Sequence, residues 1–278
     1  MTIDSSVHPI GVFDSGYGGL TILKGIREAL PQYDYLYLGD NARAPYGTRS
    51  FESVYKFTLQ AVKYLFEQGC PLVILACNTA SAKALRSIQQ NDLPGLAPEN
   101  RVLGVIRPTV EALQGKTETN HIGVFATPGT IASGSYEIEI GKLFPDYVVT
   151  GHACDLWATL IENGETDTPG AEYFIERDTK KILERDEEID SIILGCTHYP
   201  LIREKISGYL PENVRLIEQG AIVGESLSDY LVRHPEMETR LSKGASARFL
   251  TTDDEEKFDS NASLFLNEKI KSNRITLS

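Results

Sequence analysis

The chain has 278 residues, 41% of them hydrophobic and 24% charged, an ordinary globular composition with enough apolar content for one large domain or two smaller ones. Its formal net charge of −12 gives an average field that repels nucleic-acid phosphates and anionic lipid, so neither nucleic acid nor a membrane is an expected partner. No apolar run approaches the roughly 20 residues needed to span a bilayer, and the N-terminus MTIDSSVHPIGVFDSG has neither the basic nor the apolar region of an export signal, so the expectation is a cytoplasmic protein with reduced thiols.

In chain order, short β-rich runs alternate with longer helical patterns. PIGVFD (9–14) ends in Asp14 and Ser15 and enters GYGG, which lacks both the G-x-G-x-x-G and the Walker spacing of a phosphate loop. YLYLG (35–39) leads into Asp40, a residue that fits a turn. Over 51–66, Val54, Tyr55, Val62, Leu65 and Phe66 fall near helical spacing, and Gly69 with Pro71 ends the pattern. PLVILA (71–76) runs into Cys77; RVLGVI (101–106), HIGVFA (121–126) and DYVVTG (146–151) follow; DSIILG (190–195) runs into Cys196. This alternation predicts an α/β fold with largely parallel sheets.

The two halves echo each other. PIGVFDSG returns as HIGVFATPG, LPQYDYLYLGDNA as FPDYVVTGHA (144–153), and VILACNTAS (73–81) as IILGCTHYP (192–200), in the same order and at nearly constant offset. A period this long indicates a duplicated domain rather than a solenoid. Two pseudo-symmetric α/β lobes facing one another across a cleft are expected. Polar, Gly/Pro-rich stretches at 91–100 and 208–213 read as crossovers, which divides the chain into a first domain of residues 1–98 plus 213–278 and a second of 99–212.

Four cysteines, at 70, 77, 154 and 196, form no C-x-x-C pair and no zinc-ribbon spacing. Cys70 and Cys154 fit buried small hydrophobes. Cys77 and Cys196 stand at strand ends, where parallel sheets bind ligands, beside Asn78-Thr79 and Thr197-His198 at expected helix starts that favour thiolate. Metal binding by Cys77, Cys196 and His198 needs further ligands that no spacing announces, so no metal is expected. A Cys–His nucleophile uses one thiol and leaves the other unexplained. Two matched thiols suit inversion of a stereocentre, in which one base removes a proton from one face and a conjugate acid delivers one to the other. On the residues alone, Asp14 accepts a proton, orients a thiol or caps a helix, and Glu162 belongs to a solvated helix face.

GVFDSGYGGL, GDNARAPYGTRS, ACNTASA, GVIRPT, ATPGTIASGSY and LGCTHYPL, in this order over residues 10 to about 226, closely resemble the glutamate racemases. The resemblance implies two α/β domains with the active site between them, no cofactor, a homodimer, and supply of D-glutamate for peptidoglycan. It implies that Cys196 deprotonates L-glutamate while Cys77 protonates the opposite face, with the roles reversed from the D side. Asp14 would assist Cys77, and His198 and Glu162 would lie on the Cys196 side. Asp14, Ser15, Tyr46, Gly47, Asn78, Thr79, Thr127, Thr130, Thr197 and His198 would bind substrate. Arg107 replaces a glutamate or apolar residue of many relatives, at a lobe contact, a subunit interface or an effector site. The first strand begins only about nine residues into the chain, so activation by a cell-wall precursor through an N-terminal extension is not expected. The rival expectations are a racemase of aspartate or hydantoins, a one-thiol decarboxylase, or a two-lobe binding or redox-sensing protein that exchanges no Cα proton.

Overall fold

The computed structural model describes residues 8–278, and it contains two sheets whose strand pairings are all parallel. Strands β1 (Ile10–Asp14), β2 (Tyr35–Gly39), β3 (Leu72–Leu75), β4 (Arg101–Gly104), β9 (Ala247–Thr251) and β10 (Ser272–Arg274) form one sheet in the order β10-β9-β2-β1-β3-β4. Strands β5 (His121–Ala126), β6 (Val148–Ala153), β7 (Ser191–Gly195) and β8 (Arg215–Ile217) form the other in the order β6-β5-β7-β8. β1, β2, β3 and β7 are buried along their whole length, which is why they read as continuous apolar runs rather than alternating ones.

Alternate residues of each central strand enter opposite cores. Val12 and Ile74 lie in one cluster and Phe13 and Leu75 in another, while Val124 and Ile193 lie in a third and Phe125 and Leu194 in a fourth. Each sheet is therefore covered on both faces, and the expected α/β class holds.

The order β2-β1-β3-β4 of the first lobe repeats as β6-β5-β7-β8 in the second, so the duplication extends to a fourth strand beyond the three visible as sequence echoes. This pairing corrects the expected boundaries. β4, inside the range 99–212, extends the first sheet beside β3; β8, inside 213–278, borders the second sheet beside β7. The stretch 91–100 is not a crossover, because π- and α-helical turns over 88–96 lead back into the same sheet. The chain changes lobe after Gly104 and again after Ile217. Helix Gly220–Arg233 then packs on helix Leu20–Ala29 so closely that a Cβ on Gly25 would lie 2.2 Å from the Gly220 carbonyl. No helix among the described residues is long and apolar enough to cross a membrane.

Candidate active site

Cys77 and Cys196 occupy equivalent places at the ends of corresponding strands, two residues beyond β3 and one beyond β7, at the mouth of the cleft between the sheets, and each is 6% exposed. Their local structures differ. Cys77 is the N-cap of helix Asn78–Lys83, and its Sγ accepts the Ala80 N–H at 3.4 Å. Cys196 heads no α-helix, contrary to the sequence expectation: a short 3₁₀ turn, Tyr199–Ile202, begins three residues later, with Pro200 limiting the hydrogen bonds available there. Its sulfur instead faces His198 Nδ1 at 3.7 Å.

On the Cys77 side, Ser15 Oγ lies 3.6 Å from the sulfur. Asp14 ends β1 fully buried, with Oδ2 accepting the Gly16 N–H at 2.9 Å and Oδ1 without a partner. Burial raises the Asp14 carboxyl pKa, opposed by the charge of His198 and the N–H groups of Gly16 and Gly19. Burial also pushes the Cys77 thiol up to about 12; the Asp14 charge adds to this, and the Ala80 N–H and Ser15 hydroxyl oppose it. Cys77 is thus held as a protonated thiol.

On the Cys196 side the perturbed group is His198. Burial alone would lower the pKa of His198, but Cys196 and Glu162 outweigh it and hold the imidazole well above its usual value. Glu162, at the end of helix Trp157–Glu162, places Oε1 3.0 Å from His198 Nε2, an ion-pairing distance outside hydrogen-bond direction. Glu162 therefore does not belong to a merely solvated face. The resulting imidazolium provides a counter-charge beside one sulfur, while a carboxylate stands near the other.

The walls of the cleft come from both lobes. The hydroxyls of Thr79, Thr127 and Thr130 form a triangle with sides of 2.9, 3.1 and 3.2 Å that bridges the lobes. Gly47 O accepts the Gly129 N–H at 2.8 Å, and a Cβ on Gly47 would lie 2.8 Å from Thr127 Cβ. Gly18 approaches the Cys196 loop still more closely, since a Cβ there would meet Thr197 Oγ1 at 2.2 Å and His198 Nδ1 at 2.6 Å. The Thr21 hydroxyl lies 3.0 Å from Thr197 O.

Two expected substrate contacts have their side chains engaged elsewhere. The Tyr46 hydroxyl donates to Asp40, a fully buried carboxylate that also takes Arg43 at 2.7 Å and the Thr252 hydroxyl at 2.9 Å; Asp40 is an anchor rather than an open turn residue. Asn78 Nδ2 donates to Gln219 Oε1 at 2.6 Å, and Asn78 Oδ1 accepts the Tyr136 hydroxyl at 2.7 Å. Gln219 Nε2 lies 2.8 Å from Thr109 Oγ1 and 3.0 Å from the Tyr136 hydroxyl. This buried amide network escaped sequence reasoning, although Gln219 stands two residues beyond β8, at a strand end of the kind that marked the cysteines.

Arg107 is half exposed and pairs with Glu111 at 2.7 Å and Glu139 at 3.1 Å. It lines a pocket of about 580 Å³ at the lobe junction, whose lining includes Leu85, Glu139, Leu227 and Tyr230 but no cysteine. Cys70 and Cys154 are buried, as are the two site cysteines.

A family model described as Asp/Glu/Hydantoin racemase matches residues 10–225. A glutamate racemase of Dinoroseobacter shibae is 40% identical over 272 residues, covering 94% of this chain and 97% of that one. Among solved structures, a glutamate racemase isoform from Bacillus anthracis is 34% identical with a TM-score of 0.88, covering 98% of both chains. A glutamate racemase from Francisella tularensis, solved in complex with D-glutamate, is 35% identical with a TM-score of 0.85, again covering 98% of both.

Proposed function

Because the chain belongs to the Asp/Glu/hydantoin racemase family and is an amino-acid racemase similar throughout to glutamate racemases, we propose that it interconverts L- and D-glutamate by two-thiol proton transfer at Cα, with no cofactor. The observation that carries this reading is the opposed electrostatics of two sulfurs at equivalent strand ends: a protonated Cys77 beside Asp14, and Cys196 beside a His198 cation. From L-glutamate, Cys196 Sγ takes the Cα proton as thiolate, and the electron pair of the broken C–H bond stays on Cα. Cys77 then gives its thiol proton to the opposite face and is left as thiolate. The stereocentre is inverted and the two sulfurs have exchanged protonation states; the D-isomer reacts by the reverse path.

His198 and Glu162 act through Cys196, and Asp14 acts through Cys77. The cleft groups that remain to hold the substrate's charged ends are the Ser15, Thr79, Thr127, Thr130 and Thr197 hydroxyls and backbone groups around Tyr46, Gly47 and Asn78. A two-fold related pair of strand ends supports a site that must accept both mirror images. We assign the product to peptidoglycan synthesis and the assembly to a homodimer; D-glutamate dependence of a depleted strain and sedimentation of the purified protein test these.

The decisive assay is incubation with L-glutamate in D2O, following optical activity and deuterium at Cα at early conversion. The expected result is deuterium in the D product and little in recovered L substrate, with kcat lowered about 10²–10⁴-fold in both Cys77→Ser and Cys196→Ser. Deuterium in both isomers would point to a single base, and exchange with aspartate but not glutamate would reassign the substrate. No exchange with any amino acid would replace the racemase with a two-lobe binding protein.

A further inference from the structure

We propose that His152, Cys154 and Asp178 form a site for a zinc-like divalent cation in the second lobe, independent of the racemase reading. One donor atom from each residue lies within 4.8 Å of the other two. His152 and Cys154 are two residues apart at the end of β6 and therefore face the same side of the sheet. Asp178 comes down on them from helix Pro169–Arg185, which packs against that strand.

The polar atoms here are incompletely satisfied in a way that points to a ligand. Asp178 is 1% exposed; Arg177 holds its Oδ1, with Nε at 2.8 Å and the terminal nitrogen at 2.7 Å, while Oδ2 has no partner. His152 Nε2 lies 3.3 Å from Asp178 Oδ1, is itself buried, and makes no hydrogen bond. Buried polar atoms are seldom left this way. A cation between the three side chains answers both deficits.

The donor set selects the ion. Imidazole nitrogen, thiolate and carboxylate together suit Zn²⁺ or Co²⁺ and exclude Mg²⁺ and Ca²⁺, which take oxygen donors. Bonds of ~2.0–2.3 Å in a tetrahedron put the donors ~3.3–3.8 Å apart, a contraction that side-chain rotation supplies at a strand end. Three protein donors leave the fourth position to water. On binding, the Cys154 S–H proton passes to solvent as the sulfur–metal bond forms, while the Asp178 Oδ2 and His152 nitrogen lone pairs complete the protein's share.

Co²⁺ titration of the full chain carrying Cys77→Ser and Cys196→Ser tests this without competition from those thiols. The expected result is uptake of one Co²⁺ per chain, with a thiolate-to-metal charge-transfer band and the intense visible bands of a four-coordinate ion, both bleached by Zn²⁺. Adding Cys154→Ser should remove the charge-transfer band, and adding His152→Gln should weaken uptake roughly tenfold or more. Circular dichroism without metal establishes that each variant is folded; should Cys154→Ser not fold, the more exposed His152→Gln carries the decision. Absence of the band, its survival in folded Cys154→Ser, or unchanged affinity in folded His152→Gln would overturn the site and leave His152 and Asp178 as an ordinary side-chain pair.

Discussion

Replacing Gln219 by Leu removes the centre of the amide network between the lobes while roughly keeping side-chain volume. Gln219 is 2% exposed, so water cannot take its place. After the substitution the Tyr136 hydroxyl still donates to Asn78 Oδ1 at 2.7 Å, and the Thr109 hydroxyl still donates to Val105 O at 2.7 Å. The group left with nothing to meet is Asn78 Nδ2, which loses its 2.6 Å acceptor. An orphaned buried donor costs about 1–3 kcal/mol and each lost neutral hydrogen bond about 1 kcal/mol, partly offset by the new apolar contacts, so a loss of about 2–4 kcal/mol is expected. Urea unfolding followed by circular dichroism should show a lowered midpoint with unchanged slope. The double variant Asn78→Leu/Gln219→Leu should lose less than the sum of the singles, by about 1 kcal/mol or more, because Asn78 Nδ2, the donor stranded by Gln219→Leu, is then absent, while the Tyr136 hydroxyl loses its Asn78 acceptor just as it does in Asn78→Leu alone. A Gln219→Leu loss under about 0.5 kcal/mol, or strict additivity in the double variant, would show that the network does not carry the energy assigned to it.

Gly18→Ala should lower kcat/KM for glutamate by about 10²-fold while the protein remains folded, because the new methyl displaces Thr197 and His198 beside Cys196; near-normal steady-state kinetics would contradict the close approach. Alkaline unfolding should expose the buried thiols: Cys70 and Cys77 keep their protons up to about 12 in the native state, whereas the unfolded chain releases them from about 9. The unfolded state therefore binds fewer protons over that window and stability falls as pH rises through it. Cys70→Ala, outside the site, should make this decline shallower, and an unchanged slope would refute the contribution of Cys70. Arg107→Ala should change stability by less than about 0.5 kcal/mol in a urea titration, since both ion pairs are exposed or partly so.

Four of the seven strands that the sequence revealed, β1, β2, β3 and β7, are buried on both faces along their whole length, while β4, β5 and β6 are only partly so. YLYLG and HIGVFA match β2 and β5 to the residue, and the other five apolar runs each overlap a strand, displaced by up to two residues at an end. β8 and β10, three residues each, and β9, whose residues alternate in burial, carry too little apolar sequence to stand out, and they take their structure from the neighbours they pair with. Missing β8 is what misplaced the second domain boundary. Cys77 and Cys196 were legible because strand-end position and repetition both mark them. The asymmetry between them was not, because it depends on Ala80 N–H reaching one sulfur and His198 reaching the other. The side chains of Tyr46 and Asn78 are polar residues next to the cleft, and only their partners Asp40 and Gln219, the latter 141 residues from Asn78, reveal that they face away from it.

The strand order also sets a schedule for synthesis. The second lobe is one contiguous stretch inserted between β4 and β9, and its sheet is complete once β8 has been made. The first lobe opens the chain, yet β2 has no neighbour on its outer side until β9 arrives, with Tyr35 pairing with Ala247. On the ribosome the inserted lobe can therefore close early as a local unit, whereas the lobe begun first must hold an open sheet edge through the making of the other. That edge, Tyr35–Gly39, is apolar and fully buried in the finished protein, which makes it the segment most in need of protection from wrong pairing while the chain is still growing.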